Sequence, residues 1–217
     1  GVGNAALLQA LRSMRSGLAP CDFDTVDFPT WTGTVADLEN VRLPEGLQHY
    51  DCRNNRLAQL GLQADGFADA VRQAMQRYGA DRVAVVLGTS TAGIYSTELA
   101  YRARHPETGA LPSDFHYAET HNTFSVGAFV KDWFGLQGPA EVVSTACSSS
   151  AKVFASAARL LQAGLVDAVV VGGVDTLCLT TLYGFRSLGL TSGPTCRPYD
   201  GAREGLSIRE AAAFSLV

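Results

Sequence analysis

Three short apolar runs set the fold: Arg82-Val83-Ala84-Val85-Val86-Leu87, Val142-Val143-Ser144 and Ala168-Val169-Val170-Val171. Each is β-branched and short, the first closing at Gly88 and the third at Gly172-Gly173. None alternates apolar with polar residues, the pattern of strands buried on both faces. Stretches with helical spacing lie between them, from about Glu119 to Phe134 and from Ser148 to Gly164. Strand, helix, strand, helix, strand predicts right-handed βαβ units and a mostly parallel sheet. The fold class is therefore α/β.

The rest of the chain is read around that frame. Apolar residues at Ala6, Leu7, Ala10, Leu11 and Met14 predict a helix from Asn4 to Ser16, stopped by Gly17. Residues 18 to 50 hold Pro20, Pro29 and Pro44 and are expected to form a long irregular loop. A helix follows from about Asn54 to Leu62, and Asp65 is placed as the N-cap of another running to Tyr78, closed by Gly79. The tail from Gly205 to Val217 alternates poorly and is left as one further strand or two.

Composition narrows the function classes. Of 217 residues, 47% are hydrophobic and 18% charged, which suits a folded core and excludes a disordered chain. With 17 basic and 21 acidic residues and no basic cluster, nothing marks a nucleic-acid footprint. No apolar run approaches the ~18 residues a membrane helix needs. The five cysteines are widely spaced with no C-x-x-C, neither a disulfide framework nor a zinc site, so a reduced cytoplasmic protein is expected. The chain opens at Gly1 and closes on the apolar run Phe214-Ser215-Leu216-Val217, and we expect it to be part of a longer one.

Chemistry is concentrated at Val142-Val143-Ser144-Thr145-Ala146-Cys147-Ser148-Ser149-Ser150. A strand runs into a helix there, and Cys147 falls at the junction. The positive end of a helix favours a thiolate over a thiol, and its free N–H groups can hold an oxyanion during acyl transfer. Ala146 and Ser148 leave room for a substrate. The alternative is a small buried Cys with no chemistry. Gly88-Thr89-Ser90-Thr91-Ala92-Gly93 lacks the Lys-Ser/Thr of a phosphate loop and reads as a tight strand-to-helix turn. Gly172-Gly173-Val174-Asp175 fails as a dinucleotide fingerprint. His49, His105, His116 and His121 are expected in loops or on the surface, with no metal site, and Asp22, Asp24 and Asp27 in a solvated loop.

Taken together, these segments resemble a known family. Thr145-Ala146-Cys147-Ser148-Ser149, preceded by Gly135-Leu136-Gln137-Gly138-Pro139, resembles the active-site signature of β-ketoacyl-acyl-carrier-protein synthases. The resemblance continues through Gly164-Leu165-Val166-Asp167-Ala168, Val171-Gly172-Gly173-Val174-Asp175, Gly184-Phe185, Cys196-Arg197-Pro198-Tyr199-Asp200 and Arg203-Glu204-Gly205. It also includes Gly88-Thr89-Ser90, and runs from about residue 50 to 217.

The resemblance implies a thiolase-like fold, with residues 1–217 as the N-terminal, nucleophile-bearing half of a five-layer αβαβα arrangement. The family's opening strand is expected to precede Gly1-Val2-Gly3-Asn4. The implied activity is acyl transfer to Cys147 followed by decarboxylative condensation with a malonyl carrier thioester, in fatty-acid or polyketide/aryl-polyene biosynthesis. By the same resemblance Thr91 and Phe185 line the substrate pocket; a turn residue and a core aromatic are the alternative readings. Two histidines, a lysine and a Gly-Phe-Gly loop are expected from the second half. No resident cofactor is implied, since substrates arrive on the phosphopantetheine of an acyl carrier protein. The implied partners are that carrier and a second copy or related ketosynthase subunit. Arg53, Arg56 and Arg186 could meet an acidic carrier. Arg209 departs from the family pattern, standing where a Gly would permit close packing or positive φ. Two other functions stay open: a non-catalytic chain-length or scaffold partner, and a thiolase-type acyl-Cys enzyme.

Overall fold

The computed structural model describes residues 1–217. In chain order, α1 (Asn4–Arg12) leads into a loop that pairs β1 (Ala19–Pro20) antiparallel with β2 (Trp31–Thr32). Two helices follow, α2 (Arg53–Gln63) and α3 (Phe67–Tyr78), then β3 (Val83–Gly88). Next come α4 (Ile94–Arg102), α5 (Ser125–Phe134), β4 (Ala140–Val143) and α6 (Ser149–Gln162). The chain ends with β5 (Ala168–Asp175), α7 (Leu179–Ser187) and β6 (Ala211–Leu216).

The main sheet has the order β4-β3-β5-β6. β3 is parallel to both β4 and β5, with Val85 opposite Ala140 on one side and Val170 on the other. The tail forms one strand, β6, antiparallel to β5. Its alternation is masked in the sequence because alanines occupy both faces. In the structure Ala212, Phe214 and Leu216 are half-buried, whereas Ala211, Ala213 and Ser215 are exposed.

The uniform hydrophobicity of β3 follows from its place between two layers. Val83, Val85 and Leu87 pack with Leu57, Ala58 and Leu62 of α2, Val71 of α3, and Val126, Phe129 and Val130 of α5. Ala84 and Val86 face the other way, against Val153 and Ala157 of α6. At roughly 25 cal/mol per Å² of apolar surface, these two faces are the main stabilising term. β4 departs from the expectation of burial on both faces. It is an edge strand, and all four of its residues are half-buried or exposed.

Asp65 does not cap α3. The helix begins after Gly66, in a left-handed conformation at φ 72°. Asp65 Oδ2 instead accepts a hydrogen bond from the Asn4 N–H at 2.7 Å, serving the start of α1. The Asp22 to Asp27 segment is likewise not simply solvated. Asp24 pairs with Arg102 of α4, and Asp27 accepts from the Tyr183 hydroxyl of α7 at 2.8 Å. No helix is long and apolar enough to cross a membrane.

Candidate active site

The turn between β4 and α6 is tightly pinned. Ala146 sits at φ 53°, a left-handed conformation that costs a non-glycine residue about 1 kcal/mol or more. Serine and threonine hydroxyls hold it there. Ser149 Oγ accepts from the Thr145 N–H at 2.9 Å and donates to the Ala146 carbonyl at 2.7 Å. Ser148 Oγ donates to the Thr145 carbonyl at 2.9 Å. Cys147 lies at the tip of this elbow, exposed, in the single helical turn Ala146–Ser148 that leads into α6. No acidic residue occupies the first turn of α6, so its positive end faces no competing carboxylate.

Two glycines bring the sheet against that turn. A Cβ on Gly88, the last residue of β3, would stand 2.8 Å from Ser149 C and Ser150 N. A Cβ on Gly173 of β5 would overlap the Ser150 hydroxyl. The C-terminal ends of the two central strands therefore abut the first turn of α6 because neither residue carries a side chain.

The loop after Gly88 is organised by Asp175, a residue to which the sequence alone assigns no role. Asp175 Oδ1, at the end of β5, accepts from Ser90 N–H at 2.7 Å and Thr91 N–H at 3.0 Å. It also accepts from the Thr89 and Thr91 hydroxyls at 3.2 and 3.0 Å. Thr91 is buried, and its Oγ1 accepts in turn from the Thr176 N–H at 3.0 Å. Phe185 lies half-buried on α7, with no hydrogen bond or ring contact to Thr91 or Cys147. The first turn of α7 is fixed by Glu98 of α4, whose carboxylate accepts from the Leu179 and Thr180 N–H groups at 2.9 and 2.7 Å.

Cys147 is the one exposed thiol of the five. Cys52 is buried, and burial pushes its thiol up to about 11. Burial likewise raises that of Cys178. Cys196 is half-buried; burial raises its thiol, but hydrogen bonding with Ser207 and the nearby Arg209 outweigh this and lower it. No three His, Cys, Asp or Glu side chains converge as a metal-binding group. No hydrogen bond joins any histidine to Cys147. His121 Nδ1 lies 2.5 Å from Thr97 Oγ1, and its ring stacks on Tyr117. His49 lies against Tyr50. His105 Nδ1 accepts from the Thr108 N–H at 3.2 Å, and His116 is exposed.

Two of the three arginines suggested for a carrier are held in ion pairs. Arg53 is bound by Glu210 and Glu39, and Arg56 by Asp51 and Glu39. Arg186 lies over the Phe28 ring at 5.3 Å. Glu210, 157 residues from Arg53 and just before β6, is a partner that local pattern does not disclose. Arg209 does not adopt positive φ. It bridges to Gly33, where a Cβ would come within 2.9 Å of Arg209 Cβ. The close approach expected at position 209 is thus provided by the glycine opposite.

Residues 4–217 match the family model for the β-ketoacyl synthase N-terminal domain. Nodulation protein E of Rhizobium sp. (strain N33) is 24% identical over 225 residues, covering 100% of this chain and 54% of that protein. A putative polyketide beta-ketoacyl synthase 1 of Streptomyces virginiae is 27% identical over 236 residues, covering 99% and 54%. Among solved structures, the ketosynthase ApeO in complex with its chain length factor ApeC, from Xenorhabdus doucetiae, matches with TM-score 0.79 and 31% identity. That match covers 92% of this chain and 50% of the solved one. The ishigamide ketosynthase/chain length factor shares the fold at TM-score 0.83 and 21% identity, covering 100% and 54%. The chain spans about half the length of the relatives described. The thiolase-like α/β fold and the family model over nearly every residue agree: this chain belongs to the β-ketoacyl synthase family through that family's N-terminal domain.

Proposed function

We propose that residues 1–217 are the nucleophile-bearing half of a β-ketoacyl-acyl-carrier-protein synthase, with Cys147 as the acyl acceptor. The observation carrying this reading is the exposed Cys147 thiol on a pinned turn at the start of α6. A thiolate there attacks the carbonyl carbon of an acyl thioester. Negative charge develops on the carbonyl oxygen, where N–H groups at the start of a helix lack intrahelical acceptors and can receive it. The tetrahedral adduct collapses with loss of the carrier thiolate, leaving acyl-Cys147.

In the second half-reaction a malonyl carrier thioester loses CO₂. The resulting enolate carbon attacks the acyl-Cys carbonyl, a C–C bond forms, the C–S bond breaks and the thiolate returns. The groups that stabilise the enolate are expected from the second half of the enzyme. The reaction draws on no cofactor resident in the protein, because the acyl groups arrive on a carrier's phosphopantetheine. Thr91 and Phe185 are proposed to line the acyl path. The partners proposed are an acyl carrier protein and a related ketosynthase subunit. The second is supported by the 31% identical ApeO, which was solved with a chain length factor. The intact Cys147 supports placing this chain on the catalytic side of such a pair. Five free thiols suit the reducing cytoplasm as the place of action.

The test is Cys147→Ala in the full synthase, followed by intact mass after exposure to an acyl carrier thioester. The acyl adduct is expected in the parent protein and absent in the variant, with circular dichroism unchanged. An adduct that persists in the variant refutes the assignment.

A further inference from the structure

We infer that Asp175 is a positioning residue: it fixes the 89–91 loop, which adjoins the nucleophile helix at Gly88, and so sets the shape that Thr91 presents to an incoming acyl chain. The inference rests on Cys147 being the acyl acceptor and on Thr91 lining the acyl path. Gly88 carries the start of this loop to within contact of Ser149 and Ser150, two and three residues after Cys147 in the chain. From there, Thr89, Ser90 and Thr91 all donate to the single oxygen Asp175 Oδ1. Hydrogen bonds to an ionised acceptor are about twice as strong as neutral ones. One carboxylate oxygen therefore organises two consecutive backbone N–H groups that would otherwise need other partners.

The arrangement is reciprocal. Thr91 Oγ1 donates to Asp175 and accepts from the Thr176 N–H, so the loop is tied to both the end of β5 and the residue after it. The Thr91 hydroxyl is thereby committed to these bonds. Asp175 shares β5 with Gly173, which meets Ser150. The same strand thus places the helix turn through Gly173 and the loop through Asp175. A small reagent reaches the exposed Cys147 thiol whether or not the loop holds its shape. A long acyl chain also has to pass Thr91.

The experiment uses Asp175→Ala and Asp175→Asn in the full synthase. It measures two quantities: the rate of iodoacetamide alkylation at Cys147, and KM and kcat for acylation by a short and a long acyl carrier thioester. Asp175→Ala is expected to raise KM for the long acyl group by about tenfold, with alkylation within about twofold of the parent. Asp175→Asn keeps a carbonyl acceptor but loses the charge, and is expected to raise that KM severalfold, less than Asp175→Ala does. Parent-like KM for the long acyl group in Asp175→Ala overturns the inference. So does an equal fall in alkylation and acylation, which would mark damage to the nucleophile turn itself. If Asp175→Ala does not fold, Asp175→Asn decides: KM for the long acyl group raised severalfold supports the role, and a parent-like KM refutes it. A parent protein that never acylates Cys147 sinks the proposed function and this inference together. Acylation of the parent with parent-like folded variants sinks only the role of Asp175.

Discussion

The Arg53 guanidinium grips the Glu210 carboxylate through two hydrogen bonds, Nε to Oε2 at 2.9 Å and Nη2 to Oε1 at 2.7 Å. The Glu210 side chain is wholly buried, and Arg53 nearly so. Glu210 also accepts from the Val35 N–H at 2.7 Å and the Leu177 N–H at 3.3 Å. One carboxylate thus joins the start of α2, the segment after β2, the exit of β5 and the residue before β6.

Removing it should be expensive. Glu210→Ala leaves a largely buried guanidinium and two backbone donors with one partner fewer each, and breaking a buried pair in this way costs roughly 3–5 kcal/mol. Glu210→Gln keeps a carbonyl acceptor and should cost less. Urea unfolding of the three proteins checks the order, and equal midpoints would contradict it.

A second carboxylate acts across helices. Glu98 receives the first N–H groups of α7, a helix whose N-cap residue, Cys178, makes no side-chain capping bond. Glu98→Ala should therefore cost about 1 kcal/mol, the usual value of a lost cap. Amide exchange at Leu179 and Thr180 should quicken, while the strand amides of β3 keep their protection. Uniform quickening throughout the chain would mean that the effect is global rather than a cap.

These contacts explain what the sequence could and could not disclose. β3 and β5 are legible because burial on both faces leaves nearly unbroken apolar runs. Cys147 is legible because its strand-to-helix position is local and its neighbours resemble a family signature. The carboxylate contacts are not legible, since Asp175 lies 84 residues from Thr91 and Glu210 157 from Arg53. Asp65 departs from its expected capping role for the same reason. Its spacing before an apolar helix suits an N-cap, but its partner is Asn4, 61 residues away. The edge position of β4 follows from strand order, a tertiary choice that Val142 and Val143 do not encode alone.

Gly88 offers a test of the contact between sheet and nucleophile helix. The atoms nearest an added Cβ are backbone atoms of Ser149 and Ser150, which cannot rotate aside. Gly88→Ala should cost about 1–3 kcal/mol, the usual range for overpacking, and should change the alkylation rate of Cys147. Gly17→Ala is the control, because nothing lies within 4 Å of its added Cβ. A Gly88→Ala protein as stable as the control and with parent-like alkylation would show that α6 slides freely over the sheet.

The Asp24–Arg102 pair sets a pH dependence. Arg102 donates to the two oxygens of Asp24 at 2.9 and 2.5 Å, tying the first loop to α4. The Arg102 hydrogen bonds hold the Asp24 carboxyl below its ordinary 3.8, with burial opposing them. Its neighbour Tyr95 is pushed up to about 12 by burial and by Asp24, and so stays neutral through the acid range. A folded value below the unfolded one means that the pair stabilises fully above 3.8 and loses its contribution as pH falls through the folded value. Asp24→Asn should therefore lower the melting temperature near neutral pH, and the gap to the parent should close in acid. Added salt should narrow it as well, because Arg102 is exposed and its charge is screened. Melting curves of both proteins across pH check the sign: a gap that widens as pH falls would place the Asp24 carboxyl above its ordinary range rather than below it.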